Sequence, residues 1–432
     1  MPTDDPAAAS RRRLRNIVGG SAGNLVEWFD WYVYASFALY FAPSFFPKGD
    51  QTAQLLQTAA VFAVGFVMRP IGAWIMGIYA DHRGRKEGLT LSVSLMCAGS
   101  LLIAAAPTYA QVGLLSPAIL LLARMTQGLS LGGEYGSSAT YMSEVADRAR
   151  RGFWSSFLYV TITGGQLAAL ALLVMLQTLL GETAMHAWGW RIGFLVGALL
   201  AIVVFFIRRR LDETLSYQNV AARPERRRSN LLTLFRHHPR EAFLVMGITA
   251  GGTASFYAYT VYMQKFLVNT SGFSRATASE IMTVALLILL VIQPLVGRLS
   301  DFTGRRPVMM AFGICGTLFA YPIFTTLAHT QNPIQAFAIV VGAMVMLTGY
   351  TSINAIVKAE LFPADIRALG VALPYALANT LFGGTAEYIA LWLKNAGHEP
   401  WFYIYLSLLT AIYLACVIGM RETRTTSLIE ED

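Results

Sequence analysis

Long apolar runs separated by short polar breaks dominate the chain, and each run has the length a membrane crossing needs. A bilayer core of roughly 30 Å takes about 20 helical residues. About twelve such runs can be marked off: 17–41, 55–79, 88–106, 116–141, 152–180, 190–208, 241–265, 276–299, 307–328, 334–357, 367–393 and 400–420. Hydrocarbon offers no partner to an open backbone group, so each run is predicted to be a helix. After the sixth run the series is broken by one long polar segment, 209–240, bordered and filled by Arg208, Arg209, Arg210, Arg223, Arg226, Arg227 and Arg228. The expected organisation is a tail over 1–16, a six-helix bundle over 17–208, a linker over 209–240, a second six-helix bundle over 241–420 and a tail over 421–432.

Composition agrees. The 432 residues are 55% hydrophobic and only 13% charged, where soluble domains carry about a quarter. A net charge of +8 would by itself suit nucleic acid, but the distribution gives it another meaning. With the N-terminus cytoplasmic, 26 of the 33 Lys and Arg fall on inner segments and five on outer ones (Lys48, Arg191, Lys265, Arg275 and Lys394). Arg69 and Arg124 stay within spans. That bias follows the positive-inside rule. It predicts two cytoplasmic termini, a lipid bilayer as surroundings and no nucleic-acid partner. The segment MPTDDPAAASRRRLR has no apolar stretch between its arginines and a cleavage site, so a cleaved signal peptide is not expected and the first span stays.

Enzyme chemistry finds no foothold. Cys97, Cys315 and Cys416 lie scattered inside apolar runs, which suits neither a disulfide framework nor a metal site. No GxxxxGK[ST] loop is present, so ATP is not the expected energy source. No Ser/His/Asp order stands out, and His237-His238 lies in the polar linker. No cofactor and no catalytic residue are expected.

Polar side chains inside apolar helices are therefore the functional candidates. On the first run Asn24, Glu27, Trp31 and Tyr34 recur at three- to four-residue steps and share a face, with Asp30 about 60° from Glu27. Two carboxyl groups so close in a low dielectric are not expected both to be ionised. Proton handling by one of them, or a plain structural network, would satisfy the pattern. The fourth run carries Arg124, Gln127 and Glu134 along one stripe, with Arg124 at roughly the depth of Asp30. A guanidinium offers the planar fork that a carboxylate fits, so Arg124 could hold a substrate carboxylate, pair with Asp30, or alternate. Gly128, Gly132, Gly133 and Gly136 on that run read as close-packing positions. Further candidates for a polar cavity are Gln166 on the fifth run, Tyr257 and Tyr262 on the seventh, Ser352, Asn354 and Lys358 on the tenth, and Tyr375, Asn379 and Glu387 on the eleventh.

One decapeptide pattern occurs twice. Gly77, Asp81, Gly84, Arg85 and Lys86 in GIYADHRGRK are matched, 220 residues later, by Gly297, Asp301, Gly304, Arg305 and Arg306 in GRLSDFTGRR. An acid and a cationic cluster are costly in hydrocarbon, so each copy marks the aqueous end of a span. The glycines permit a tight reversal, and the Asp can meet an Arg or a helix end.

The pattern G-x-x-x-D-x-x-G-R-[RK] resembles the loop signature of the major facilitator superfamily. His82 and Phe302 depart from it by standing where a basic residue is common. Gly23 through Asp30, Arg69-Pro70-Ile71-Gly72, Arg124 through Glu134, Trp188 through Arg191 and Phe382 through Tyr388 resemble that superfamily's metabolite:proton symporter branch. Tyr262-Met263-Gln264-Lys265 and Lys358-Ala359-Glu360 are most similar to its 2-oxoglutarate permeases. The resemblance implies an all-α integral membrane protein of twelve transmembrane helices in two pseudosymmetric bundles. It also implies alternating access to a central site, a carboxylate substrate, protons as the coupled ion and an inner-membrane location. Arg69 resembles a family-typical arginine, either lining the cavity or paired structurally. The two signature loops are implied to gate the cytoplasmic side. A tricarboxylate, an osmolyte such as proline or betaine, and a transport-inactive receptor remain alternatives. A monomer is expected.

Overall fold

The structure, a computed structural model, describes residues 6–47, 49–83, 85–132, 148–209, 231–363 and 366–429, with side chains described outside 6–23, 76–89, 148, 207–209, 231–233 and 368. The first half consists of α1 (Pro6–Phe45), α2 (Gln51–Arg83), α3 (Arg85–Ala105), α4 (Leu115–Leu131), α5 (Arg151–Ala184) and α6 (Trp190–Arg209). In the second half, α7 (Pro239–Tyr257) continues through a π-helical turn, Ala258–Tyr262, into Met263–Asn269. It is followed by α8 (Arg275–Thr303), α9 (Arg305–His329) and α10 (Pro333–Thr351), which resumes after a break as Asn354–Glu360. Next, α11 (Arg367–Ala378) passes through a second π-helical turn, Asn379–Gly383, into Gly384–Asn395, and α12 (Pro400–Gly419) closes the series.

Packing repeats between the halves. In the first, α1 packs on α5 and α6, α2 on α4, and α3 on α6; in the second, α7 packs on α11 and α12, α8 on α10, and α9 on α12. The halves meet chiefly along α5 with α8 and α2 with α11. Two pseudosymmetric six-helix bundles result. Their outer faces expose large apolar side chains such as Trp74, Leu199, Phe206, Leu295, Leu318 and Leu408, while Asp30, Arg124, Gln127 and Lys358 are fully buried. Apolar outside and polar inside is the arrangement hydrocarbon surroundings demand. Six stretches among the described residues are long and apolar enough to cross a membrane, one of which, Arg151–Phe206, takes in both α5 and α6.

Three helices depart from the expected continuous runs, the eleventh through its π-helical turn Asn379–Gly383. The seventh span carries its π-helical turn directly after Tyr257. The tenth breaks at Ser352 and Ile353, where a run of polar side chains competes with the backbone ladder; Asn354 Nδ2 donates to the Thr351 carbonyl at 3.3 Å.

Candidate functional site

Close backbone packing brings the first-half cluster together. A Cβ added at Gly128 would collide with the Gly65 carbonyl, and one at Gly132 with the Arg69 carbonyl. α2 and α4 therefore cross in near-contact, the small-residue packing that membranes favour, and their two arginines face one centre. This agrees with the expected packing role of Gly128 and Gly132; Gly133 and Gly136 lie outside the described residues.

Asp30, wholly buried, sits at the heart of this cluster. Ser100 of α3 donates to its Oδ1, and Gln127 Nε2 donates to its Oδ2 at 2.7 Å and to Ser100 Oγ at 3.0 Å. Arg124 Nη1 in turn donates to Gln127 Oε1 at 2.7 Å. A guanidinium, an amide and a carboxyl thus stand in line. Glu27 is buried at 2% exposure on the same helix, one turn before Asp30.

Among the described residues, aromatic rings wall both arginines. The Arg124 guanidinium carbon lies 3.8 Å from the Trp31 ring centroid and 4.3 Å from that of Tyr34. That of Arg69 lies 4.2 Å from Trp31 and 4.1 Å from Phe66. Cation–π contact stabilises a charge without neutralising it. Nε and Nη2 of both side chains are buried with no hydrogen-bond partner among the described residues. Buried donors left open are costly, and donors of this geometry fit carboxylate oxygens.

The second half supplies the facing wall. Tyr257, just before the π-helical turn of α7, is buried, and its ring meets Phe66 of α2 edge-on at 5.1 Å. Asn379 opens the π-helical turn of α11, and a Cβ at Gly383 would press on both Asn379 and Tyr257. Such turns re-aim side chains and recur at functional sites. Lys358 Nζ donates to Asn354 Oδ1 at 2.9 Å and lies 4.2 Å from the Tyr375 ring centroid. Ser352 is buried nearby in sequence, at the helix break.

Other candidates fall outside this centre. Asn24 Nδ2 donates to Thr161 Oγ1 at 2.8 Å, linking α1 to α5. Gln166 Nε2 donates across the halves to the Thr260 carbonyl at 2.6 Å, so it holds α5 to α7. Tyr262 points away, packing on Phe402 and reaching Glu399 Oε1 at 3.4 Å. Lys265, counted among outer basic residues from the sequence, is instead buried in an ion pair with Glu387. Residues that sequence reasoning passed over are Ser100, which carried no signal in an apolar run, and Trp28, which the Glu-Trp-Phe-Asp motif contained. Glu134 and the first signature copy, Gly77, Asp81, Gly84, Arg85 and Lys86, lie outside the residues whose side chains are described.

The second signature copy closes one end of the interface between the halves. Asp301 accepts from the backbone N–H groups of Gly152 at 2.8 Å and Phe153 at 3.0 Å, capping the N-terminus of α5. Arg305 Nη1 donates to Asp301 at 2.7 Å and to Ser300 at 2.7 Å, and its Nη2 lies 3.7 Å from Glu360. Gly304, at φ 96°, takes the left-handed turn only a glycine tolerates well. Gly297 packs backbone to backbone against Gly152. Arg306 leaves this network to hold the end of α12 through the Ile418 carbonyl at 2.6 Å. At the opposite end, Arg275 reaches Glu182 at 3.5 Å, Gln177 reaches Ser279 at 3.3 Å, and Asn269 reaches Thr52 at 3.2 Å. The halves are therefore joined at both ends around the central cluster.

Comparison with known proteins places this architecture. The profile of the sugar (and other) transporter family matches residues 16–234 and again residues 218–432. The alpha-ketoglutarate permease of Escherichia coli (strain K12) is 54% identical over 404 residues, covering 93% of this chain and 92% of that protein. The citrate-proton symporter of Klebsiella pneumoniae is 33% identical over 387 residues, covering 89% and 86%. Among solved structures, the proton:xylose symporter XylE with a bound bromodeoxyglucose superposes with a TM-score of 0.75 at 17% identity, covering 96% of this chain and 97% of that one. The chain is an integral membrane protein of the sugar (and other) transporter family, with the major facilitator fold.

Proposed function

We propose that the protein imports 2-oxoglutarate, a dicarboxylate, together with protons by alternating access. The observation that carries this reading is the pair of buried guanidiniums, Arg69 and Arg124, with open Nε and Nη2 donors, beside a carboxyl group linked to one of them through Gln127. The similarity to an alpha-ketoglutarate permease over nearly its whole length supports the choice of substrate.

Arg124 binds a substrate carboxylate and is drawn off Gln127. Gln127 then shifts, Asp30 loses its link to the cationic chain, and the carboxyl takes up a proton. Substrate and proton are coupled through one shared side chain, without a long-range signal. Glu27 and Glu134 are the secondary carriers. Tyr257, Tyr375, Asn379, Asn354 and Lys358 close on the substrate from the second half. Asp301 and its first-half counterpart Asp81 lock the cytoplasmic gate. The proton gradient is the energy source, and no cofactor takes part. The charge bias of the loops supports cytoplasmic termini in a bacterial inner membrane, with 209–240 as the linker between halves, and the protein acts as a monomer.

The test is uptake of labelled 2-oxoglutarate, citrate and proline into proteoliposomes under an imposed pH gradient. Concentrative uptake of 2-oxoglutarate above the others is expected. Preference for citrate would move the assignment to a tricarboxylate, and the absence of gradient dependence would remove the coupling.

A further inference from the structure

α1 presents Trp28, Trp31 and Tyr34 at three-residue steps, so their attachment points climb the helix by about 4.5 Å per step at ~1.5 Å per residue. The two arginines occupy successive intervals of this ladder. Arg69 lies over Trp28 at 5.3 Å and over Trp31 at 4.2 Å; Arg124 lies over Trp31 at 3.8 Å and over Tyr34 at 4.3 Å. Their remaining aromatic neighbours differ, Phe66 for Arg69 and Phe62 for Arg124. Trp31 is the ring they share, and it fixes the interval between two like charges that would otherwise repel.

Two further features single out this side chain. Its indole is fully buried, yet Nε1 has no hydrogen-bond partner among the described residues. Its position is also built into the packing of α2, because a Cβ at Gly65 would stand 2.8 Å from Trp31 Cη2. A ring held this firmly adds a third open donor beside two guanidiniums that have open nitrogens.

We propose that Trp31 determines which dicarboxylates the site accepts, by setting the interval between Arg69 and Arg124. One carboxylate of the ligand meets each arginine, and the indole N–H donates to the ligand between them. With carbon–carbon bonds of ~1.5 Å, the two carboxyl carbons of an extended five-carbon dicarboxylate stand about 5 Å apart, against about 4 Å for four carbons and about 6 Å for six. The four- and five-carbon lengths bracket the ladder step, and the six-carbon length exceeds it. This assignment rests on the reading of the pocket as a dicarboxylate site.

The experiment is competition against labelled 2-oxoglutarate uptake in proteoliposomes by unlabelled succinate, glutarate, adipate and butyrate. In the wild type, glutarate and succinate should each inhibit at a concentration about ten-fold lower than adipate, and butyrate should inhibit least. Trp31→Leu and Trp31→Phe should bring the three dicarboxylates within about three-fold of one another. Phe keeps a ring to pack on Gly65, so it carries the test if Leu does not insert. A ring that served only to stabilise the fold would change the amount of active protein and leave these ratios untouched. A Trp31→Phe protein with wild-type ratios, or a wild type blind to dicarboxylate length, overturns the proposal alone. A wild type inhibited by no dicarboxylate overturns the transport reading with it.

Discussion

Arg124 and Asp30 are joined through a single side chain: Gln127 accepts from the guanidinium at 2.7 Å and donates to the carboxyl at 2.7 Å. An amide accepts through its oxygen and donates through its nitrogen, so it can face a cation and a carboxylate at once. Replacing it with an isosteric carboxylate would put two acids together, and replacing it with leucine would cut the line. Gln127→Leu should therefore retain substrate exchange within a few-fold of wild type while losing accumulation driven by a pH gradient by ten-fold or more. Asp30→Asn should show the same split. Exchange and gradient-driven uptake measured on the same proteoliposomes decide the matter; parallel loss of both would mean that the line serves only to hold the fold.

Arg124→Lys keeps the charge and loses the planar fork and its stacking on Trp31 and Tyr34. It should fail almost as badly as Arg124→Ala, with uptake below about a tenth of wild type. Normal uptake by either variant, with insertion verified, would exclude Arg124 from substrate or proton handling.

Asp301 caps α5 across the interface between the halves. An anion at a helix N-terminus contributes up to about 2 kcal/mol in partly buried geometry, enough to change a two-state ratio by a factor of roughly 5–30. Asp301→Asn should shift the resting population toward the state open at that end. Labelling of cysteines placed along the cavity from that side should quicken accordingly, with substrate affinity little changed. Unaltered labelling would remove the gating role.

Lys265 and Glu387 form a buried pair whose side chains are 2% and 3% exposed. Removing one partner leaves an uncompensated buried charge, a loss of about 3–5 kcal/mol, whereas replacing both by apolar groups is often neutral. Lys265→Met alone should lower the thermal midpoint of the purified protein sharply, and Lys265→Met with Glu387→Leu should restore most of it. A double variant no better than the single would mean that the pair stabilises through more than mutual neutralisation.

At a potential of about 100 mV, moving each elementary charge costs about 2.3 kcal/mol. A dianion entering a negative interior therefore needs at least two protons to cross as a neutral load. Uptake with two protons should respond to the pH gradient and ignore the potential, while a third proton would add sensitivity to potential. Clamping each separately distinguishes these cases, and accumulation with both set to zero would rule out coupling.

Much of this was legible in the chain because hydrocarbon leaves so few alternatives. Apolar runs of fixed length gave the helices, and lone polar residues within them, such as Asp30, Arg124 and Gln127, gave most of the central cluster. The rest depended on which faces meet. The spacing of Glu27 and Asp30 places two acids close together, but the partners of Asp30 come from α3 and α4, whose crossing no local pattern announces. Gln166 looked like a cavity residue, and only the approach of α5 to α7 assigns its donor to the Thr260 carbonyl. Lys265 reads as a span-end lysine until α11 brings Glu387 beside it.

The π-helical turns Ala258–Tyr262 and Asn379–Gly383 have a consequence for the ancestry of the two halves. A π turn amounts to one inserted residue, and every side chain beyond it is rotated by about 100° from the register of a regular helix. Lys265 and Glu387 both lie within four residues of such an insertion, so their meeting records two separate register changes. α1, the counterpart of α7, runs as one helix from Pro6 to Phe45. The duplicated halves are therefore out of register beyond these turns, and one half carries the acid and two arginines while the other carries a neutralised ion pair.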